Sequence, residues 1–476
     1  MKRQWIAVFS IILILIAILD IPVKAMASAT ETDVWPDGPN VFAESAIVME
    51  ASTGLILYEK NIDDQHYPAS ITKIMTVLLA LENSSLGDIV TFSHDAVYDV
   101  DSDSSRLWVT EGEQMTMQQC LYAILLYSAN DVAYGVAEHV GGSVENFARM
   151  MNEKAKSLGC KNTNFTNPHG LQDDNHYTCA HDMALITREA IKNETFLKIF
   201  GTRTYQIPPT NLQSETRYLA NHHKLLMKQT YSYDGVIGGK TGYTSTSLYT
   251  LVTVAKRGDL ELICVLMRDD SIEHEYTDTI KLFDYGFDNF SIYPIADLED
   301  TSALSESPLF TRYNSLLSDM NSPITIDHNG YLVLPNSASF QDAVKEVSFF
   351  SDSEASDNDS SADSEDKIIG QISYTYQDKY VGGANILYHN VDSPSLIKNN
   401  TETTNPTSAP GTETQPLRKS GGGLQLFIIG GLIGLVALVI IAYYIVVERP
   451  RLKRKHAYYK KRAQRKLYQN DDYLDL

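Results

Sequence analysis

Pro68-Ala69-Ser70-Ile71-Thr72-Lys73-Ile74-Met75-Thr76-Val77-Leu78-Leu79-Ala80-Leu81 is the stretch that decides how this chain is read. From Ile74 onward almost every residue is apolar. A helix that is apolar all round belongs inside a core. Its polar residues crowd at one end, where Ser70 and Lys73 stand three apart and so share a helical face. A hydroxyl is a weak nucleophile until a base stands beside it. A lysine amine becomes such a base when burial or a second cation lowers its pKa. At a helix start, backbone N–H groups also point toward any anion that forms next to Ser70. Alone, Ser-x-x-Lys is a weak signal, because a cap and a solvated lysine give the same pattern.

Working outward, Ala46-Ile47-Val48-Met49 and Leu55-Ile56-Leu57-Tyr58 read as two strands joined by the turn Ser52-Thr53-Gly54. Thr116 and Gln119 form a capping box that opens a helix through Leu121-Tyr122-Ala123-Ile124-Leu125-Leu126. Another helix is expected over 144–158. Strands return at 249–255 and 260–267, around the turn Arg257-Gly258-Asp259. Strands at both ends with helices between predict an α+β domain over 42–290.

Two further short motifs follow in order. Ser128-Ala129-Asn130 closes the capped helix, so that a hydroxyl able to relay a proton and an amide able to hold a carbonyl face one cleft. Lys240-Thr241-Gly242 leads toward the strand expected near Tyr249. Its lysine and threonine suit a carboxylate, and Gly242 suits close approach of a substrate backbone.

Ser-x-x-Lys, Ser-x-Asn and Lys-Thr-Gly in this order are the signature set of penicillin-binding proteins and serine β-lactamases. With Ser45-Ala46-Ile47-Val48-Met49-Glu50-Ala51, residues 68–82 and Asn164-Phe165-Thr166-Asn167-Pro168-His169-Gly170-Leu171, the chain resembles the D-alanyl-D-alanine carboxypeptidase family, the low-molecular-weight penicillin-binding type. That resemblance covers 42–290 well and implies a DD-peptidase/β-lactamase-like domain, an antiparallel sheet with helices. It implies Ser70 as acylated nucleophile, Lys73 as its base and Ser128 as proton shuttle. Asn130 would orient the substrate, and Lys240 and Thr241 would bind its terminal carboxylate beside Gly242. The N–H groups of Ser70 and Tyr243 would form the oxyanion hole. The implied substrate is the peptidoglycan stem pentapeptide, with β-lactams as covalent inhibitors, no cofactor and no metal. One departure stands out: where the family places glycine shortly after Lys-Thr-Gly, this chain has Leu248, which is expected to crowd the cleft or fill space opened elsewhere. Two other functions carry the same motifs: a β-lactamase, and a non-catalytic protein that binds β-lactam or peptidoglycan. Class A β-lactamases need a glutamate that activates water, and 164–171 has none.

The rest of the chain sets the compartment. The net charge of −21 argues against nucleic acid as a partner. Residues 448–476 nevertheless hold ten Lys/Arg against four Asp/Glu. Residues 1–29 carry a short positive start, an apolar run and small residues, the pattern of a secretory signal peptide. Residues 424–447 form an uncharged apolar run long enough to span a bilayer. The basic tail that follows predicts a single-pass protein anchored by its C-terminus, tail cytoplasmic and catalytic domain outside. Between these, 291–390 reads as a small all-β domain interrupted by an acidic loop at 351–366, with seven Asp/Glu among serines. Residues 391–423 read as a flexible stalk. Cys120 and Cys264 sit in apolar runs as core residues. Cys160 and Cys179 flank a loop, and a bridge between them suits an oxidising exterior.

Overall fold

A computed structural model describes residues 35–227, 230–299, 324–350 and 366–389. The signal-like segment, nearly all of the acidic loop, the stalk, the apolar run 424–447 and the basic tail lie outside these residues. Among the described residues no helix is long and apolar enough to cross a membrane.

Strands β1 (Ser45–Glu50) and β2 (Ile56–Lys60) form the expected hairpin. Two short ladders follow, β3 (Ile89–Thr91) with β4 (Gln114–Thr116) and β5 (Thr204–Ile207) with β6 (Arg217–Ala220). Then come β7 (Val236–Thr244), β8 (Leu248–Arg257) and β9 (Leu260–Asp269). The main sheet is antiparallel with the order β2-β1-β9-β8-β7. Its strands are apolar on both faces because both faces are covered. Along β1, Ile47 and Met49 join one buried cluster while Ala46 and Val48 join another, the period of two that a strand imposes.

The first cluster is filled by helices α1 (Lys73–Asn83), α2 (Met117–Leu126), α3 (Asn130–Gly141), α4 (Val144–Ser157) and α5 (Ala180–Ala190). Eight of the eleven residues of α1 are buried, as its all-round apolarity requires. The Thr116–Gln119 capping box is present at the start of α2, with both reciprocal hydrogen bonds. The second cluster is filled by α6 (Ile272–Asn289), through Tyr276, Leu282 and Phe283, and continues into a second sheet.

That second sheet starts directly after α6. It comprises β10 (Phe290–Pro294), β11 (Ile324–Ile326), β12 (Tyr331–Pro335), β13 (Val344–Phe349), β14 (Asp366–Tyr376) and β15 (Lys379–His389). Its order is β10-β12-β15-β14-β13, with β11 also on β15. Trp35 ties the two sheets together. Its indole donates to the Leu57 carbonyl at 3.2 Å, packs 5.1 Å from the Phe290 ring and lies under the Lys379 ammonium at 4.8 Å.

Two sequence expectations are corrected. Lys240-Thr241-Gly242 does not lead into the strand near Tyr249; it lies within β7, a strand of its own paired with β8. Gly238, Gly239 and Gly242 dilute the β signal there. Cys160 and Cys179 are free, as are Cys120 and Cys264. The Cys179 sulfur is committed to capping α5, where it accepts the Asp182 N–H at 3.4 Å, and the Cys160 thiol points to the Asp182 carbonyl.

Candidate active site

Ser70 lies in a 3₁₀ turn, Ala69–Thr72, that runs into α1 at Lys73. In a 3₁₀ turn residues three apart eclipse one another, so the lysine is carried directly over the serine: Lys73 Nζ stands 3.0 Å from Ser70 Oγ. The same nitrogen donates to Asn130 Oδ1 at 2.6 Å and to the His169 carbonyl at 2.7 Å. These two oxygens can only accept. As an ammonium Lys73 finds three acceptors here, the two carbonyl oxygens and the Ser70 hydroxyl; on losing a proton it can keep both carbonyls and turn its lone pair to Ser70 Oγ. Burial holds the Lys73 pKa well below the ordinary lysine value, and the nearby Lys240 charge adds to this, against a smaller opposing effect of Asp131.

The Ser128-Ala129-Asn130 turn joins α2 to α3, and Ser128 adopts a left-handed backbone, φ 61°. Such a conformation is costly for a non-glycine residue and persists where its surroundings fix it. Here the Ala129 N–H donates to the Ala123 carbonyl and the Asn130 N–H to the Ser105 carbonyl at 2.8 Å. Next in sequence, fully buried Asp131 accepts the N–H groups of Leu107, Trp108 and Val132. It thereby fixes the 107–109 segment against the start of α3.

Lys240 approaches from β7. Its ammonium donates to Ser128 Oγ at 3.1 Å and to the Thr241 carbonyl at 2.8 Å. Burial brings its pKa down to about 7. Both lysines are therefore interior, each behind a serine: Lys73 behind Ser70 and Lys240 behind Ser128. The two serines, Asn130, Thr241, Gly242 and Tyr243 line one cleft of about 370 Å³. All eight residues singled out from the sequence thus come together.

Gly242 lines the cleft and also carries a packing role that the sequence did not announce. A Cβ there would fall 2.9 Å from the Ser70 nitrogen and 2.3 Å from Thr250 Oγ1. The missing side chain lets β7 press against the Ser70 turn, and Thr250 secures that contact by donating to the Pro68 carbonyl at 2.9 Å.

The 164–171 stretch supplies the site's back wall, which motif reading did not reveal. A Cβ on Gly170 would come 1.8 Å from the Ala69 carbonyl oxygen, so only glycine fits. This close packing sets the His169 carbonyl on Lys73. His176 braces the same wall. Its Nδ1 accepts the Thr166 N–H, so Nε2 carries the proton and donates to Thr72 Oγ1 at 2.9 Å. Burial lowers the His176 pKa to about 4, which keeps the ring neutral. Two of these supports act through a backbone carbonyl or an absent side chain, which no residue-type pattern announces. The exception is Asp131, whose position directly after Ser-x-Asn in the first turn of α3 was the available signal.

Leu248 is also corrected. It does not line the cleft. It has φ 55° and opens β8 opposite Thr244, at the end of the β7–β8 hairpin. A glycine at this point answers a backbone requirement for positive φ.

Taken together, the geometry sets a buried lysine amine against a serine hydroxyl at the edge of a cleft, an arrangement suited to acyl transfer. The family model described as D-alanyl-D-alanine carboxypeptidase (peptidase S11) matches residues 30–271. The chain belongs to this family. It is 36% identical over 267 residues to D-alanyl-D-alanine carboxypeptidase DacF of Bacillus subtilis, a match covering 55% of this chain and 66% of the relative. It is 32% identical over 291 residues to D-alanyl-D-alanine carboxypeptidase DacA of Haemophilus influenzae, covering 60% of this chain and 71% of the relative. Among solved structures, penicillin-binding protein 5 from Haemophilus influenzae superposes with a TM-score of 0.57 at 25% identity, covering 75% of this chain and 98% of that one.

Replacing Leu248 with glycine should relieve the left-handed strain and raise stability by about 1 kcal/mol. A denaturant titration measures this. Acylation by large and small β-lactams should change by the same small factor; selective gain for large ones would return Leu248 to the cleft.

Proposed function

We propose that this protein removes the terminal D-alanine from peptidoglycan stem pentapeptides through an acyl-enzyme on Ser70. The observation that carries this reading is the Lys73 amine, buried, held by two carbonyls and 3.0 Å from Ser70 Oγ. Ser70 Oγ attacks the carbonyl between the two D-alanines as its proton passes to Lys73. Collapse of the tetrahedral intermediate breaks the peptide bond; Ser128 Oγ hands a proton to the leaving nitrogen and regains one from Lys73, which returns to the neutral amine. Lys240 supports that transfer from behind Ser128 and, with Thr241, offers positive charge and hydrogen bonds to the terminal carboxylate. Asn130 presents its amide N–H₂ to a substrate carbonyl while its oxygen stays on Lys73. The Ser70 and Tyr243 N–H groups receive the oxyanion, a contribution of about 3–4 kcal/mol per donor in such sites. Water then releases the shortened peptide.

A β-lactam follows the first half of this path, but its leaving group stays tethered. Rapid release would need a carboxylate poised to activate water. Glu275 lines the cleft, yet burial raises its pKa to about 9, with Asp269 adding to the effect. A group whose pKa lies above 7 is protonated at neutral pH and is no base there. The reading as a β-lactamase is therefore disfavoured. A leucine crowding the cleft would have favoured the reading as a non-catalytic binder, and Leu248 is not among the residues lining the cleft.

We further propose that the enzyme is exported by residues 1–29 and anchored by 424–447, with the basic tail 448–476 cytoplasmic. The β-rich region 291–390 and the stalk 391–423 would then hold the catalytic domain away from the bilayer.

Incubated with a β-lactam, the protein should gain one adduct by intact mass, located on the peptide containing Ser70 and lasting minutes or longer. With a muramyl pentapeptide it should release one D-alanine per molecule. Ser70→Ala should abolish both signals, and Lys73→Ala should slow acylation by about 10²–10⁴-fold, the usual worth of a positioned base. Fast β-lactam turnover without D-alanine release would identify a β-lactamase; a stable adduct without release would identify a binder.

The topology has its own test. A chain truncated after Lys419 should appear in the soluble fraction with activity intact. Pelleting of that shortened chain with membranes would contradict the anchor.

A further inference from the structure

The junction of β9 and α6 carries a feature the acyl-transfer mechanism does not use. A bulge shifts the β8–β9 register between Tyr249 and Leu251, and Arg268 within it takes φ 57°. Bulges re-aim the side chains beside them. The residue re-aimed here is Asp269, with no exposed surface; neither of its oxygens meets a donor at good hydrogen-bonding geometry, the nearest being the N–H groups of Ser271 and Asp270. A buried carboxylate without a partner is costly, and nearby cations are committed elsewhere. Arg268 bonds Glu44, and Lys281 bonds Asp278.

Asp269 is aimed at two residues that can share a ligand with it. One carboxylate oxygen each from Asp269 and Asp270 and one imidazole nitrogen of His274 lie within 4.8 Å of one another. Asp270 and His274 are bonded to each other at 2.5 Å, so a proton already sits between two of the three donors. The His274 ring is oriented by stacking on Phe42, with centroids 3.7 Å apart and planes within 4°. An oriented imidazole is what a metal ligand requires.

We infer that Asp269, Asp270 and His274 form a site for a divalent transition-metal ion, zinc above all. The imidazole nitrogen selects against calcium and magnesium, which prefer all-oxygen shells. Zinc takes carboxylate and imidazole donors at about 2.0–2.2 Å, which places neighbouring donors about 3–3.5 Å apart. The Asp270–His274 pair, 2.5 Å apart, therefore opens by somewhat under 1 Å while Asp269 draws in, movements within reach of the Asp270 and His274 rotamers. The metal replaces the shared proton, gives Asp269 its missing partner and staples the end of β9 to the first turn of α6. Water completes the coordination. Asp269 pairs in register with Tyr249, which lines the cleft, so the staple lies one strand from the active site without contacting Ser70.

The experiment is a zinc chloride titration of the full chain after chelation, followed by calorimetry and thermal unfolding. One equivalent should bind and raise Tm. Asp270→Asn and His274→Ala alter side chains that reach solvent, so both variants should fold; each should weaken zinc binding at least tenfold and leave Ser70 acylation by a β-lactam unchanged. Asp269→Asn should remove the zinc-dependent rise in Tm. Calcium or magnesium at the same concentration should not compete. Absence of saturable binding, binding unaffected by these variants, or equal binding of calcium would each overturn the site.

Discussion

Almost everything near the cleft serves one constraint: an amine with no exposed surface must be kept beside a serine hydroxyl. Burying an ammonium costs several kcal/mol unless it is paired. The structure meets this by giving Lys73 two carbonyl acceptors and a hydroxyl, while burial and the Lys240 charge favour loss of its proton. The His169 carbonyl is there because Gly170 permits contact with Ala69, and Asn130 is there because the strained Ser128 turn and Asp131 hold the start of α3. The 3₁₀ turn before α1 places Lys73 over Ser70. Loss of any of these supports leaves the amine either solvated and charged or buried without partners.

Lys240 gives the same device a second function. It stands behind Ser128 as Lys73 stands behind Ser70, and its charge is one reason the Lys73 pKa falls. A carboxylate arriving at Lys240 and Thr241 would offset that charge. On the proposed mechanism, substrate binding and base strength would be coupled through two lysines that never touch, in a region of low dielectric. The sheet supplies the rigidity. β7 is pressed against the Ser70 turn through Gly242, so Thr241 and Ser70 are held by elements packed directly on one another.

How much of this the sequence disclosed follows from the physics of each signal. The apolar run of α1, the β1–β2 hairpin and the Thr116–Gln119 capping box have strong periodic or pairwise signatures, and all appear where expected. The three motifs picked out side chains that the structure brings together at one cleft, because the proposed chemistry demands particular residue types. β7 was misplaced because its three glycines carry no β preference. The wall formed by His169, Gly170 and His176 was unreadable because a carbonyl and a missing Cβ leave no trace in residue type. Leu248 was misread for a related reason: a glycine required for positive φ looks in sequence like a glycine required for space, and only the backbone angle separates the two. The free thiols of Cys160 and Cys179 show that proximity along a loop does not supply the geometry of a bridge.

The protonation state of Lys73 is the centre of the account, and it is directly measurable. Burial and the Lys240 charge lower its pKa, so the amine is neutral above that lowered value and the rate of Ser70 acylation rises with pH only through it. A pH series of acylation by a small β-lactam, paired with ¹⁵N NMR of the Lys73 side chain assigned by Lys73→Arg, reads both. The account predicts a kinetic and a spectroscopic transition that coincide, well below the ordinary lysine value near 10.5. A Lys73 amine that titrates near 10.5, with acylation already at its plateau at neutral pH, would show that a charged lysine sits beside Ser70 and that another group takes the proton.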